Sequence, residues 1–175
     1  MSGTVKSSIE AELKENGRLI YPNVGDSMKP FIRQGRELLV IERPKEWDAL
    51  PEHSLTGKLK KYDVPLYRRK GSRVYVLHRV LAVRDKDYVI CGDNRRHKEY
   101  GISDQHVIGV LTAVIRNGKE IPVTERRYRC YVHLWCDFFP VRAGILFIRD
   151  MLRRVRRRLF HGKGQEVYHR RNDCE

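Results

Sequence analysis

The fold is decided by Arg73-Val74-Tyr75-Val76-Leu77-His78-Arg79-Val80-Leu81-Ala82-Val83, which four polar residues separate from Tyr88-Val89-Ile90-Cys91. Both runs are rich in β-branched and aromatic residues, a composition that predicts strands. The residues between them, Arg84-Asp85-Lys86-Asp87, are typical of a turn, so we expect an antiparallel hairpin. Because side chains alternate along a strand, His78 shares a face with Val76 and Val80. Apolar neighbours disfavour a charged histidine and leave the neutral imidazole, which can accept a proton.

Short apolar runs continue on both sides of this hairpin, from Leu19 to about Val123. The predicted strands comprise residues 38–41, 65–67, 74–83, 88–91 and 107–115, and Asn117-Gly118 marks a turn after the last of them. Pro65 has no backbone donor, so its strand should lie at a sheet edge or carry a bulge. The whole pattern predicts a mainly β fold, a compact antiparallel domain of barrel-like form.

Changes in composition divide the chain into an N-terminal arm at residues 1–18, the β domain at 19–123 and a basic segment at 124–175. In the arm, Ser8 is a candidate N-cap for a short amphipathic helix ending near Asn16, with Ile9 and Leu13 on one face. Residues 44–58 contain Trp47 and should form an excursion over the surface that covers or borders a cleft; their role stays open.

The basic segment carries most of the excess positive charge. Residues 126–160 contain ten arginines against two aspartates, a net charge of +8 out of the formal +14 of the chain. From Arg149 to Leu159, arginines alternate with apolar residues at helical spacing, which predicts a basic amphipathic helix. The stretch from Trp135 to Phe160 is therefore a candidate surface for an anionic membrane. Alternatively, its aromatic residues pack on the β domain while the arginines stay solvated or bind an acidic partner or, as a weaker candidate, nucleic acid.

Two polar motifs supply the other groups that activate a hydroxyl. In Gly25-Asp26-Ser27-Met28-Lys29-Pro30, the glycine permits a positive φ and the proline restrains the chain, so the serine should sit on a constrained loop. Gly92-Asp93-Asn94 follows the strand at 88–91, and hairpin pairing should bring its aspartate toward the histidine strand. A serine hydroxyl needs a base within about 3 Å and a group that orients the base. Ser27, His78 and Asp93 are therefore the candidate nucleophile, base and orienting acid.

With these motifs the chain resembles the type I signal peptidases and the LexA-like self-cleaving repressors over residues 18–116. Gly25 to Pro30 is similar to the Gly-x-Ser-Met-x-Pro serine box of both groups. His78-Arg79-Val80 and Gly92-Asp93-Asn94 are similar to boxes of the endoplasmic-reticulum and archaeal signal peptidases, which use histidine as the base. The resemblance implies the signal peptidase/LexA-like β core and a serine endopeptidase that cleaves a precursor or leader peptide. It also implies that the serine box contributes to the oxyanion hole, through the residues around the nucleophile: Gly25, Asp26, Met28 and Pro30.

The chain departs from that family at two Gly-Asp motifs and near its first residue. Where the family has Gly-Asp, this sequence has Gly35-Arg36 and Tyr62-Asp63, neither of them a catalytic position. The first 20 residues are too polar to form the transmembrane helix that normally anchors a signal peptidase. The resemblance further implies a peptide substrate that adds as a strand beside the cleft.

Three alternatives stay open. A lysine base is disfavoured because the nearby lysines lie in charge-dense stretches, where nothing depresses an amine pKa: Lys60, Lys61 and Lys70. A LexA-like regulatory module would use the basic tail to contact nucleic acid, although the residues before Gly25 are too few for a helix-turn-helix. A catalytically inactive binding protein is the third possibility.

Length and composition limit the number of domains, the metal or cofactor sites and the cellular location that we expect. The 175 residues suffice for one domain of about 100 to 150 residues and an appendage. The seven histidines are scattered and the four cysteines have the spacing of neither a zinc site nor a disulfide framework, so we expect no metal and no cofactor. A signal-peptide pattern is absent, which together with unpaired cysteines predicts a cytoplasmic protein or one peripheral to the membrane. The cysteines are Cys91, Cys130, Cys136 and Cys174.

Overall fold

The computed structural model describes residues 9–51 and 53–161, with side chains through residue 158. The mainly β prediction is confirmed, and helices stand at both ends of the described chain. In chain order the elements are α1 (Ile9–Asn16), β1 (Arg18–Pro22), β2 (Glu37–Glu42), β3 (Pro65–Arg68), β4 (Tyr75–Leu77), β5 (Arg79–Val83), β6 (Tyr88–Cys91), β7 (Glu99–Ile102), β8 (Val107–Arg116), β9 (Lys119–Pro122), α2 (Arg126–Cys136) and α3 (Phe139–His161). Short 3-10 helices precede β3 at Lys45–Ala49 and β8 at Asp104–His106.

The strands pair antiparallel in two sheets. The larger sheet has the order β1-β2-β8-β3-β4, with β9 also paired to β8, and the smaller has the order β5-β6-β7. The long strand β8 pairs with β3 through its first residues and lies between β2 and β9 through its last. Asn117 and Gly118 have φ angles of 51° and 74°, which the predicted tight turn between β8 and β9 requires.

The strand expected at residues 74–83 is interrupted at His78. β4 ends at Leu77 in the larger sheet, and β5 begins at Arg79 in the smaller one. The prediction of one continuous strand is wrong because an alternating pattern shows which face is apolar but not when the chain passes from one sheet to another. Beyond the interruption the predicted hairpin is confirmed: Arg79 pairs with Cys91, and the turn between β5 and β6 spans the four predicted polar residues.

Strand β3 accommodates Pro65 as its first residue. It lies between β8 and β4, so it is not an edge strand, but its register against β8 shifts between Leu66 and Tyr67. The pairs Pro65–Val110, Leu66–Gly109 and Tyr67–Val107 leave the extra residue, Ile108, in β8 and not in β3. Pro65 is the first residue of β3, a position that tolerates a missing backbone donor. Neither the predicted edge placement nor a bulge in the Pro65 strand is found.

Two apolar clusters stabilise the sheets. Leu13 of α1 is 1% exposed and belongs to the first cluster together with Met28 and Leu111, so the predicted N-terminal helix does brace the core. Its expected N-cap, Ser8, lies outside the described residues. Trp47, from the excursion after β2, is buried in the second cluster and donates from Nε1 to the Lys58 carbonyl at 3.0 Å.

Helix α2 belongs to the compact unit formed by the sheets, which extends through Phe138. The sequence-based boundary after residue 123 therefore precedes a helix that packs with the β domain. Helix α3 forms a separate unit. Among the described residues, no single helix has the length and apolar composition of a membrane span; only α2 and α3 taken together reach them. Cys91, Cys130 and Cys136 are free thiols, and Cys174 lies outside the described residues.

Candidate active site

Ser27 stands in a turn that is fixed on both sides. Before it, Gly25 has a φ of 94°, which a glycine adopts without steric cost. The Lys29 N–H donates to the Asp26 carbonyl at 3.2 Å and closes the turn. After it, Met28 is 1% exposed and packs in the first apolar cluster, and the peptide bond before Pro30 is cis. The serine box is therefore the constrained loop that the sequence predicts.

The Gly92-Asp93-Asn94 segment docks directly on this loop. The Asn94 N–H donates to the Ser27 carbonyl at 2.7 Å, and the Asn94 side-chain amide donates to the Asp26 carbonyl at 2.9 Å. Arg95 adds an ion pair with the Asp26 carboxylate at 3.1 Å. The two motifs, separated by more than sixty residues in the sequence, thus form one unit.

Gly92 marks the point where the serine loop meets the histidine. A Cβ atom at this position would lie 2.8 Å from the Ser27 carbonyl oxygen and 2.9 Å from both Nε2 and Cδ2 of His78. A side chain would therefore collide with the loop backbone and with the imidazole ring. The absence of a side chain at Gly92 allows Ser27 and His78 to approach each other.

His78 is buried where β4 gives way to β5, and its two ring nitrogens face different partners. Nδ1 lies 2.9 Å from Oε1 of Glu99 and 3.4 Å from the Tyr67 hydroxyl. A carboxylate can only accept, so we assign the hydrogen to Nδ1 and the lone pair to Nε2. Nε2 is the nitrogen at Gly92, beside the serine loop. In this tautomer a neutral His78 presents the lone pair of Nε2 beside the serine loop.

Glu99 is held as a carboxylate by cationic and hydroxyl donors. Its Oε2 accepts from the Tyr67 hydroxyl at 3.0 Å and from Nε and Nη2 of Arg69 at 2.9 and 2.8 Å. Burial by itself would raise the pKa of Glu99, but the hydrogen bonds from His78 and Arg69 outweigh burial and lower the pKa to about 2. Burial, followed by the adjacent Glu99 charge, raises the pKa of Tyr67. At neutral pH the acceptor is therefore charged and the phenol is a donor.

Asp93 does not occupy the orienting position. Its carboxylate forms a bidentate pair with Arg79, with Nε to Oδ1 at 2.9 Å and Nη2 to Oδ2 at 2.7 Å, and both side chains are fully buried. Adjacent residues of an extended chain point to opposite sides, so a hairpin that brings Asp93 to Arg79 directs it away from His78. The carboxylate on His78 is that of Glu99, and the expected contact between Asp93 and the imidazole is wrong.

Aromatic side chains of α2 form hydrogen bonds with the buried pair of Arg79 and Asp93. The Tyr128 hydroxyl accepts from Nη1 of Arg79 at 2.9 Å, and the Tyr131 hydroxyl donates to Oδ2 of Asp93 at 3.0 Å. Trp135 donates from Nε1 to the Asp93 carbonyl at 2.8 Å. At Trp135, the packing interpretation of the C-terminal aromatic residues is therefore confirmed. Helix α2 is fastened to the strand that follows His78.

Tyr62 contacts both Arg79 and the end of α2, although its backbone has a conformation that favours glycine. Its φ of 78° lies in the left-handed region, which is rare for a bulky side chain. Its carbonyl accepts from Nη1 of Arg79 at 3.1 Å, and its hydroxyl donates to Asp137, the residue after α2. Its ring contacts His133 with centroids 4.9 Å apart. Tyr62 thus connects α2 to β5.

The Ser27 hydroxyl makes no hydrogen bond within residues 9–51 and 53–158, and the backbone N–H groups of Ser27 and Met28 have no acceptor there. The bond between nucleophile and base often tightens only when substrate binds. Both N–H groups belong to the turn that the hydrogen bond from Lys29 to Asp26 closes. The described residues therefore bring together the serine loop, the imidazole of His78 and the Glu99 carboxylate on its Nδ1.

The lysine alternative gains no support from the described residues. Hydrogen bonding to Tyr62 raises the pKa of Lys61, whereas a neutral base needs a lowered one. Burial lowers the pKa of Lys58, but its ammonium donates to the Asp104 carbonyl at 3.0 Å. No group of three or more His, Cys, Asp or Glu side chains within the described ranges is placed to hold a metal ion.

Sequence reasoning missed the three residues behind the imidazole: Tyr67, Arg69 and Glu99. Glu99 begins β7, a short polar strand that carries no apolar alternation. The only signal was an acidic residue a few positions after the Gly-Asp-Asn motif. Comparisons of the chain with protein-family models, with curated proteins and with solved structures find no match. Its function is therefore inferred from its own residues.

Proposed function

We propose that the chain is a serine endopeptidase of the signal peptidase type, which cleaves a precursor or leader peptide. Ser27 is the nucleophile, His78 the general base, and Glu99 the residue that positions His78. The observation that carries the proposal is the orientation of the imidazole, with Nδ1 on Glu99 at 2.9 Å and Nε2 at Gly92, beside the serine loop. The resemblance of the serine, histidine and Gly-Asp-Asn boxes to those of Ser/His signal peptidases supports the same reaction.

The reaction follows the general serine peptidase scheme. The Ser27 oxygen attacks the peptide carbonyl carbon while its proton passes to Nε2 of His78. The negative oxygen of the tetrahedral intermediate is stabilised by the N–H groups of the serine loop. The C–N bond then breaks as Nε2 returns the proton to the leaving amine, which leaves an acyl-enzyme. Water repeats these steps and releases the carboxylate product.

Glu99 contributes through His78 and not through the substrate. When the imidazole takes the proton it becomes a cation, and the Glu99 carboxylate at 2.9 Å stabilises that charge. Arg69 and Tyr67 prevent the carboxylate from turning away, since they occupy its second oxygen. The proposed role of the orienting acid therefore passes from Asp93 to Glu99.

An extended peptide fits the sheet that leads into the site. Strand β4 ends the larger sheet, with β3 on one side and no partner strand on the other among the described residues. Its last residue, Leu77, immediately precedes His78. A peptide that added to this edge would run along the chain toward the imidazole, in the binding mode of strand addition.

The test is cleavage of an extended-peptide library by the full chain, with products identified by mass spectrometry. Ser27→Ala and His78→Ala should abolish cleavage. The matched controls Ser72→Ala and His97→Ala remove the same groups elsewhere and should retain it. Equal cleavage by the wild type and Ser27→Ala would refute the proposal. If the wild type cleaves nothing yet retains peptides on a column, the chain is a binding module with a peptidase-like site.

A further inference from the structure

Helix α3 presents a straight apolar stripe to solvent. The stripe consists of five aliphatic side chains spaced four, three, four and three residues apart: Val141, Ile145, Ile148, Leu152 and Val155. Each is between 47% and 60% exposed. At 1.5 Å per residue the stripe is about 21 Å long. A row of exposed aliphatic side chains on one helix face is a surface that requires a partner.

The same helix carries a strong positive charge beside the stripe. Residues 149–158 include six arginines and one aspartate, Asp150, which pairs with Arg149 at 2.7 Å. The arginines are distributed over the rest of the helix circumference, so cationic groups flank the stripe along its second half. Arginine can lay its aliphatic stem along an apolar surface while its guanidinium remains at the polar boundary.

This distribution argues against pairing with a second copy of the chain. The four-three spacing would suit the seam of a coiled coil, in which the flanking positions of one helix face those of its partner. Arg149 and Arg156 follow two seam residues directly, so a helix pair would bring like charges together. Nucleic acid would use the arginines but would leave the aliphatic stripe in water.

We propose that α3 lies in the interface of an anionic membrane, with the aliphatic stripe among the acyl chains and the arginines at the lipid phosphates. The argument is charge complementarity combined with a continuous apolar face, which is the signature of a helix lying parallel to the bilayer surface. Each arginine near an anionic surface strengthens binding roughly fivefold before salt screening. This surface is independent of the proposed peptidase chemistry.

The test is flotation of the full chain with two kinds of vesicle, pure phosphatidylcholine and phosphatidylcholine containing roughly one third phosphatidylglycerol. Binding is expected only to the anionic vesicles and should weaken at least about tenfold in 0.5 M salt. Ile145→Ser with Leu152→Ser removes apolar area from the stripe and should reduce binding at least about tenfold. The matched control Phe147→Ser removes an exposed apolar side chain from another face of α3 and should reduce it less than about twofold.

A second variant pair separates local charge from net charge. Replacing Arg153, Arg154 and Arg157 by glutamine should weaken binding to anionic vesicles on the order of 100-fold. Replacing Arg73, Lys86 and Lys119 by glutamine removes the same number of charges from the β unit, where these exposed residues lie. This variant should bind anionic vesicles almost as well as the wild type. Circular dichroism should show equal helicity for all variants in buffer. Absence of flotation, indifference to the stripe variant, or binding of DNA or self-association in place of vesicle binding would overturn the proposal.

Discussion

Glu99→Gln is the substitution that discriminates most sharply among the roles assigned to the site. It preserves the shape of the side chain but converts one carboxylate oxygen into an N–H donor. Arg69 holds its acceptor through two hydrogen bonds, at 2.8 and 2.9 Å, and should retain the remaining oxygen. The amide N–H then points at Nδ1 of His78, which must become an acceptor. The ring proton moves to Nε2, and His78 can no longer take the proton of Ser27.

The expected loss in kcat is about 10³- to 10⁴-fold, because a wrong histidine tautomer costs about 10⁴ in a Ser-His-Asp peptidase. This corresponds to about 4 to 5 kcal/mol of activation free energy. KM should change little, since Glu99 does not touch the substrate in the proposed mechanism. A substitution that merely loosened the fold would not separate kcat from KM in this way.

Glu99→Gln should also change the way in which the free energy of unfolding depends on pH. The pKa of Glu99 is lowered from 4.5 to about 2, and its carboxylate is 23% exposed. The charged form therefore stabilises the folded state by up to about 3 kcal/mol above pH 4.5, and this contribution disappears as the pH falls from 4.5 toward 2. The difference in unfolding free energy between the wild type and Glu99→Gln should shrink over that interval, as urea titrations at several pH values would show.

The position of the His78 ring proton can be measured without a substrate. Long-range ¹H–¹⁵N correlation of the His78 ring should show the proton on Nδ1 in the wild type and on Nε2 in Glu99→Gln. Asp93→Asn is the control: it should lower stability by about 3 kcal/mol by weakening the buried pair with Arg79, yet leave the His78 tautomer and kcat per folded molecule within a few fold. If Asp93→Asn switches the tautomer while Glu99→Gln does not, the assignment of Glu99 is refuted.

Three further sets of substitutions test the surroundings of the site. Gly92→Ala should lower kcat about 100-fold in the peptide assay, because its methyl group would displace the serine loop or the imidazole, whereas Gly144→Ala, whose Cβ meets nothing within 4 Å, should leave kcat unchanged. Tyr62→Gly should be more stable to urea than Tyr62→Ala by about 1 kcal/mol, since only glycine adopts a φ of 78° without strain; equal stability would contradict this. Arg79→Met and Asp93→Leu should each cost about 3 to 5 kcal/mol in thermal unfolding, but the double variant should lie within about 2 kcal/mol of the wild type. Additive losses would show that the pair is not the coupled unit described here.

Features that depend on neighbouring residues were predictable from the sequence. Strand β6, the hairpin turn after β5 and the turn at Asn117-Gly118 follow from β-branched content and turn chemistry, which act within a few residues. Strands β1, β7 and β9 were missed because they are short and mostly exposed. Such strands form because a partner is available, and the partner is set by tertiary structure.

The candidate site was predictable to the extent that its groups lie in contiguous motifs. Ser27 and His78 could be identified because the residues beside them define a tight loop and an apolar strand. Glu99 could not, because its contact with His78 depends on the interruption between β4 and β5 and on the register of two sheets. The expected contact between Asp93 and His78 was wrong because a displacement of one residue along a strand reverses the face, and Asp93 pairs with Arg79 instead.

The three residues of the Gly-Asp-Asn motif can all be explained without proton transfer. Gly92 permits the serine loop to approach the imidazole. Asn94 donates a hydrogen bond to the backbone of that loop, and Asp93 neutralises the buried Arg79. Each role is a matter of distance and charge between segments that are remote in the sequence. The motif therefore holds the serine loop beside His78, and the carboxylate on the imidazole comes from another strand, β7. In this chain the Gly-Asp-Asn motif therefore accounts for the geometry of the candidate site, and the proposed orienting acid, Glu99, lies outside the motif.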